Sequence, residues 1–253
     1  MIRVAAAGDL HVGPEPTGKY RAHLHGIAEQ ADVFLMAGDL TRHGTLEEGR
    51  VAAGELRDLG IPVIAVLGNH DYHSDLEEEM ADLLRDAGVI VLEGDGTVVD
   101  CDGVRFGVAG GKGFGGGFEG RCAGEFGEPE MKEFVRHTKD FSARLGTALL
   151  ELDADVRVAL THYSPVEDTL EGEPLEIFPF LGSYLIGEAI DAAGADLAVH
   201  GHAHKGTEKG ITKGGVRVRN VALPVLQHAY ALYCLETPGS AGAEQVRERV
   251  SVR

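Results

Sequence analysis

Ile61-Pro62-Val63-Ile64-Ala65-Val66-Leu67-Gly68-Asn69-His70-Asp71 is the stretch on which the fold turns. Its apolar first part, bounded by Gly60 and Gly68, reads as a buried strand. An amide, an imidazole and a carboxylate follow directly at the strand's end. Open parallel sheets build their sites at the carboxyl ends of strands. Asn69 offers a neutral oxygen to a cation. His70 offers a proton, and Asp71 is expected to fix its orientation. Taken alone, Gly68–Asp71 is also a common polar turn. It gains meaning because four further segments repeat the design.

Upstream, an expected strand from Ile2 to Ala7 runs into Gly8-Asp9-Leu10-His11, and another from Val33 to Ala37 runs into Gly38-Asp39. A helical pattern around Tyr20, Leu24, Ile27 and Ala28 lies between them. A helix from Leu46 to Leu59 is expected before the third strand, although Gly49 and Gly54 lower its propensity. Beyond Asp71, Ser74 and Asp75 supply N-cap chemistry for an amphipathic helix through Leu76, Met80, Leu83 and Leu84. Three successive strand–motif–helix units predict right-handed crossovers and a largely parallel sheet.

Downstream the texture changes. Short apolar runs between Val89 and Val108, separated by Gly/Asp turns, predict a meander. Gly110 to Gly127 is glycine-rich. Its G-x-G-x-x-G match at Gly111–Gly116 opens no helix, and Lys112 precedes Gly113 rather than Ser or Thr. Neither a dinucleotide site nor a P-loop is expected there. A mobile loop beside the site, or a surface loop, is the expectation. Met131 to Leu152 marks one long amphipathic helix. The strand Val156–Leu160 ends in Thr161-His162. Glu167 to Gly182, acidic and then apolar, is long for a connection and reads either as a lid or as Phe178 and Phe180 packing into the core. A helix from Tyr184 to Ala193 precedes the strand Asp196–His200, which runs into Gly201-His202-Ala203-His204. His200, on the apolar run, is expected to be structural. Further strands are expected at Val216–Val218, Val221–Leu223 and Tyr230–Leu235, with the final polar residues frayed.

A length of 253 residues suits one large α/β domain or two smaller ones. The net charge of −18 disfavours nucleic acid as a partner through the general surface. Cys101, Cys122 and Cys234 have no metal-binding or C-x-x-C spacing, so free thiols in a reducing compartment are expected. No basic-then-apolar leader opens the chain, and no apolar run is long enough to span a bilayer. A cytoplasmic protein with no membrane partner is the expectation, with the oligomeric state left open.

The strand ends together supply Asp9, His11, Asp39, Asn69, His162, His202 and His204. Imidazole, carboxylate and amide donors without thiolate suit Mn, Fe, Zn or similar divalent ions. The set exceeds what one four-coordinate ion needs. With one bridging carboxylate it suffices for a pair of ions roughly 3.5–4 Å apart.

The order D-x-H, G-D, G-N-H-D, H, G-H-x-H, from Asp9 to His204, resembles the calcineurin-like metallophosphoesterase superfamily. The resemblance implies a four-layer α-β-β-α sandwich of two mixed sheets flanked by helices. It implies one domain over 1–253, with site-bordering loops near 110–127 and 167–182. It implies two divalent ions: one on Asp9, His11, Asp39 and His204, the other on Asp39, Asn69, His162 and His202. His70 would contact the phosphate and protonate the leaving group, with Asp71 orienting it. The expected reaction is hydrolysis of a small phosphodiester, cyclic nucleotides among them, by a metal-bridging water. A phosphomonoesterase or phosphatase is the second expectation, and a non-catalytic metal-binding scaffold the third. The presence of His70 disfavours the scaffold, which needs no leaving-group acid.

Overall fold

The computed structural model describes residues 1–15 and 18–237. In chain order the elements are β1 (Ile2–Ala7), β2 (Val33–Ala37), α1 (Leu46–Leu56), β3 (Val63–Val66), α2 (Glu77–Asp86), β4 (Val89–Leu92), β5 (Asp95–Cys101) and β6 (Val104–Gly111). They continue as β7 (Gly117–Phe118), β8 (Arg121–Cys122), α3 (Pro129–Glu151), β9 (Val156–Thr161), α4 (Tyr184–Ala193), β10 (Leu197–His200), β11 (Lys209–Ile211), β12 (Arg217–Asn220) and β13 (Ala231–Leu235), with short helical turns between some of them.

Side-chain alternation builds the layers. Along β1, Ile2, Val4 and Ala6 enter one apolar cluster while Ala5 and Ala7 enter another; along β2, Val33, Leu35 and Ala37 part in the same way from Phe34 and Met36. The first cluster lies between two sheets, where those residues meet Phe106, Val108, Val158, Leu160 and Val199. The second packs the first sheet's outer face onto Leu56 of α1 and Met80 and Leu84 of α2. A third packs Ala159 and Ala198 against Phe141, Leu145 and Leu149 of α3 and Ile186 and Ile190 of α4. Strands covered on both faces read as continuous apolar runs rather than alternating ones, as β1 to β3 do. The result is two mixed sheets flanked by helices, the expected sandwich.

The first sheet has the order β13-β1-β2-β3-β4, with β1 to β4 parallel and β13 antiparallel. The second has the order β11-β12-β10-β9-β6-β5, parallel from β12 to β6, with an antiparallel strand at each edge. The meander expected between Val89 and Val108 is not formed. β4 pairs parallel with β3 in the first sheet, and the chain then crosses to a β5–β6 hairpin in the second. Each short run looks alike in sequence. Yet β4 is buried along nearly its whole length, whereas β5 is an exposed edge.

Smaller departures have local causes. α1 ends at Leu56 rather than Leu59, and it begins with a capping box between Thr45 and Glu48. The pattern around Tyr20 to Ala28 resolves into two single turns, Arg21–Leu24 and Ile27–Gln30. Ser74 does not cap α2: its hydroxyl donates to the His43 carbonyl at 2.6 Å, and the helix starts after Leu76 without a side-chain cap. Val221–Leu223 is no strand; a helical turn, Leu223–Leu226, follows instead, and β11 appears where no strand was expected. The glycine-rich segment divides: Gly113 and Gly115 to Phe118 are buried, whereas Glu119 to Cys122 and Gly124 to Gly127 are exposed. In the long connection the two phenylalanines part: Phe178 is 3% exposed and Phe180 60%. The frayed tail lies outside the described residues. No helix among the described residues is long and apolar enough to cross a membrane.

Candidate metal centre

The C-terminal ends of β1, β2, β3, β9 and β10 deliver Asp9, Asp39, Asn69, His162 and His202 to one place between the sheets. One set of donor atoms, from Asp9, His11, Asp39 and His204, lies within 4.8 Å of one another; a second comes from Asp39, His162 and His202. Asp39 belongs to both. Asn69 joins the second set through its Oδ1, 3.0 Å from His162 Nε2. All seven expected donors are therefore brought together.

The backbone bends sharply to do this. Asp9, His11, Asp39 and His202 have φ of 59°, 44°, 50° and 70°. Such left-handed conformations are uncommon outside glycine, cost energy, and cluster at functional sites. The motif glycines make room. A Cβ on Gly68 would land on the Asp39 carboxylate and backbone nitrogen, and one on Gly201 on the Asp9 carboxylate.

The donors fit divalent cations. His11 Nε2 and His204 Nε2 face each other at 3.4 Å, and His11 Nε2 lies 3.6 Å from Asp39 Oδ2. Asp9 Oδ1 accepts from His204 Nε2 at 2.8 Å, and Asp39 Oδ1 stands 3.4 Å from His162 Nε2. Buried carboxylates facing imidazoles need positive charge between them. Burial favours neutral Asp39, yet the charge of His162 overrides that and holds its carboxyl well below the usual range; burial likewise opposes charge on His162, but Asp39 raises it. His202 is pushed down to about 3 by burial and by the charge on His162.

Neighbouring carbonyls fix the ring orientations. His162 Nδ1 donates to the Ala37 carbonyl at 2.8 Å, leaving Nε2 for the site. His202 Nε2 donates to the Phe180 carbonyl at 3.1 Å, leaving Nδ1. Orienting partners of this kind set the tautomer of a ligating histidine. His200, buried as expected, is held by the Gly201 carbonyl and Thr169 Oγ1.

His70 stands beside the first set, its ring 4.5 Å from that of His11. Its backbone N–H donates to Asp39 Oδ1 at 2.8 Å. Its Nδ1 donates to the Arg42 carbonyl at 2.8 Å. The expected pairing with Asp71 is corrected here. Asp71 turns inward, where its carboxylate accepts from Leu40 N, Thr41 N, Thr41 Oγ1 and Gly68 N at 3.2, 2.8, 2.6 and 2.8 Å. It joins the turn after β2 to the turn after β3. Burial, with Asp39 nearby, pushes it up to about 6. Arg42 and Phe180 act through backbone carbonyls, so no side-chain pattern could have revealed them. Lys112 was legible only as the wrong residue for a P-loop, yet its carbonyl accepts the N–H groups of His162 and Tyr163, both at 3.0 Å.

A family model described as calcineurin-like phosphoesterase matches residues 2–206. No curated protein matches the chain in sequence. Among solved structures, a phosphopantetheinyl hydrolase from Mycobacterium tuberculosis is similar with a TM-score of 0.61 and 18% identity, over 87% of this chain and 88% of that one. TT1561 of Thermus thermophilus gives a TM-score of 0.56 at 15% identity, over 91% and 93% of the two chains. A putative 5′-nucleotidase from Staphylococcus aureus gives 0.59 at 15% identity, over 93% of this chain and 51% of that one, so this chain spans about half its length. At such identities the likeness is one of fold.

Proposed function

The chain belongs to the calcineurin-like phosphoesterase family, and on that premise we propose that it hydrolyses a small phosphodiester at the Asp39-centred site. Membership makes it a metal-dependent phosphoesterase; the substrate and the residue roles are the proposal. The observation that carries it is a pair of donor sets sharing Asp39, with the His70 ring beside them and held through Nδ1 by the Arg42 carbonyl.

Asp9, His11, Asp39 and His204 would hold one divalent ion, and Asp39, Asn69, His162 and His202 would hold the other. Manganese, iron and zinc all suit these donors. Ions bound there would supply charge neutralisation for the phosphoryl group and an acidified water. The remaining work falls to the chain. The Arg42 carbonyl can only accept, so Nδ1 of His70 carries a proton and Nε2 exchanges one with the departing ester oxygen. Asp71 keeps the turns carrying Asp39 and His70 in register. No Ser or Cys nucleophile is needed.

A diester carries two groups on its phosphorus, and a pocket of about 360 Å³ lies near the centre, lined in part by Tyr72, Lys112 and Phe114 and by none of the metal donors themselves. Tyr72 follows His70 by two residues. The Tyr163 ring is near both Lys112 and His202: its centroid is 5.5 Å from Lys112 Nζ and 4.4 Å from the His202 centroid. Room beyond the scissile phosphate favours a diester over a monoester. The acidic chain favours a small substrate over a long polyanion. The structural neighbours' names, a phosphopantetheinyl hydrolase and a putative 5′-nucleotidase, support hydrolase chemistry of this kind.

A panel of matched mono- and diesters, assayed after metal analysis, tests the reading. Higher kcat/KM for the diesters is expected. A reversed ranking would make the chain a phosphatase, and no turnover at full metal content would leave the non-catalytic scaffold.

A further inference from the structure

The pocket near the metal centre holds a cation whose hydrogen-bonding capacity is largely unused. Lys112 Nζ stands over the rings of Tyr72, Phe114 and Tyr163, at 4.7, 5.2 and 5.5 Å from their centroids. Among the described residues its hydrogen bond is to the Gly113 carbonyl, at 3.4 Å. An ammonium has three donors, and ring faces satisfy its charge only in part. Burial lowers its pKa, and Glu93, Glu77 and Asp39 pull the other way. None of these carboxylates pairs with it directly. Glu93, which shares the pocket, interacts with the Tyr72 hydroxyl.

The surroundings suit a flat group. Phe114 packs on Phe134 and His137, with centroids at 5.0 and 4.5 Å, and Phe134 continues to Phe180 at 6.3 Å. Arg144 adds a second cation to the lining. Aromatic walls around an underused ammonium describe a site for an anion on an apolar or aromatic body.

We propose that this pocket receives one ester arm of the substrate, and that Lys112 binds an anionic oxygen group carried on that arm, separate from the scissile phosphate. The inference rests on the phosphoester reading above and narrows it to diesters with a second anionic group. Lys112 is then a specificity-determining residue. It directly follows β6, which pairs with β9, so the strand that supplies His162 also fixes the distance between the two anions.

The test uses methyl phenyl phosphate and methyl 4-carboxyphenyl phosphate, which differ by one carboxylate. Both are titrated calorimetrically into the metal-loaded protein, and their hydrolysis is followed in parallel. The carboxylated ester should bind about tenfold to a hundredfold more tightly, the range of one hydrogen bond to a charged group. Lys112→Met keeps the apolar stem and removes the charge, so it should bring the two affinities together; Lys112→Arg should restore part of the difference. Metal content and melting temperature are measured for each variant. Equal binding of both esters by the wild type overturns this inference alone. A Lys112→Met variant that keeps the difference overturns it too. If the fully metal-loaded wild type neither binds nor hydrolyses either ester, the phosphodiester reading falls as well.

Discussion

His70 and Asp71 are neighbours in sequence and do unrelated jobs. His70 faces the site with its Nδ1 held by a carbonyl, while Asp71 is buried with four hydrogen-bond donors on its carboxylate. The residue types were legible; the division of labour was not, because adjacency in sequence says nothing about which way a turn points each side chain. His70→Ala should retain metal and fold, and lose about 10²–10⁴-fold in kcat on esters with alkyl leaving groups. Nitrophenolate leaves without a proton, so nitrophenyl esters should lose less. Measuring kcat across esters of graded leaving-group pKa checks this, and an equal loss on all would reduce His70 to electrostatic binding. Asp71→Asn sets an amide NH₂ against donors that need an acceptor. It should cost about 1–3 kcal/mol, read as a lower denaturation midpoint, together with weaker metal retention. Unchanged stability would remove Asp71 from its role as a tie between the turns.

At the scale of elements, the site depends on how closely strand ends approach. The alternation of apolar strand and polar motif was readable along β1, β2, β3, β9 and β10. The left-handed turns at Asp9, Asp39 and His202 were not, since non-glycine residues give no sign of positive φ. The glycines before the ligands carry part of that information. Gly68→Ala would push its methyl onto Asp39, so metal content should fall at both positions. Gly120→Ala, at φ 80° with open space around it, should keep its metal and lose only about 1–2 kcal/mol of stability. Metal stoichiometry by elemental analysis separates them, and a Gly68→Ala protein with full metal would refute the crowding argument. The β4-to-β5 crossing was hidden for another reason. Which sheet a short apolar run joins depends on partners far along the chain, β3 for one and β6 for the other.

For the molecule as a whole, two faces on each sheet demand three apolar layers, and buried runs flanked by amphipathic helices announced them. Carbonyl contacts such as Phe180 to His202 carry no residue signature and needed the structure. The same layering sorts the cysteines. Cys122 is exposed, whereas Cys101 is buried and its thiol is pushed up to about 11 by burial and by nearby Asp32. A thiol reagent at neutral pH should label Cys122 first and Cys101 last, as mass spectrometry of the native protein would show; prompt labelling of Cys101 would contradict the packing of β5 against the inter-sheet core. The account stands most directly on Asp39 serving two ions at once. The decisive measurement is diester turnover of chelated protein titrated with Mn²⁺. The account predicts no turnover before addition and saturation at about two ions per chain. Full turnover in metal-free protein, or saturation at a single ion, would contradict it.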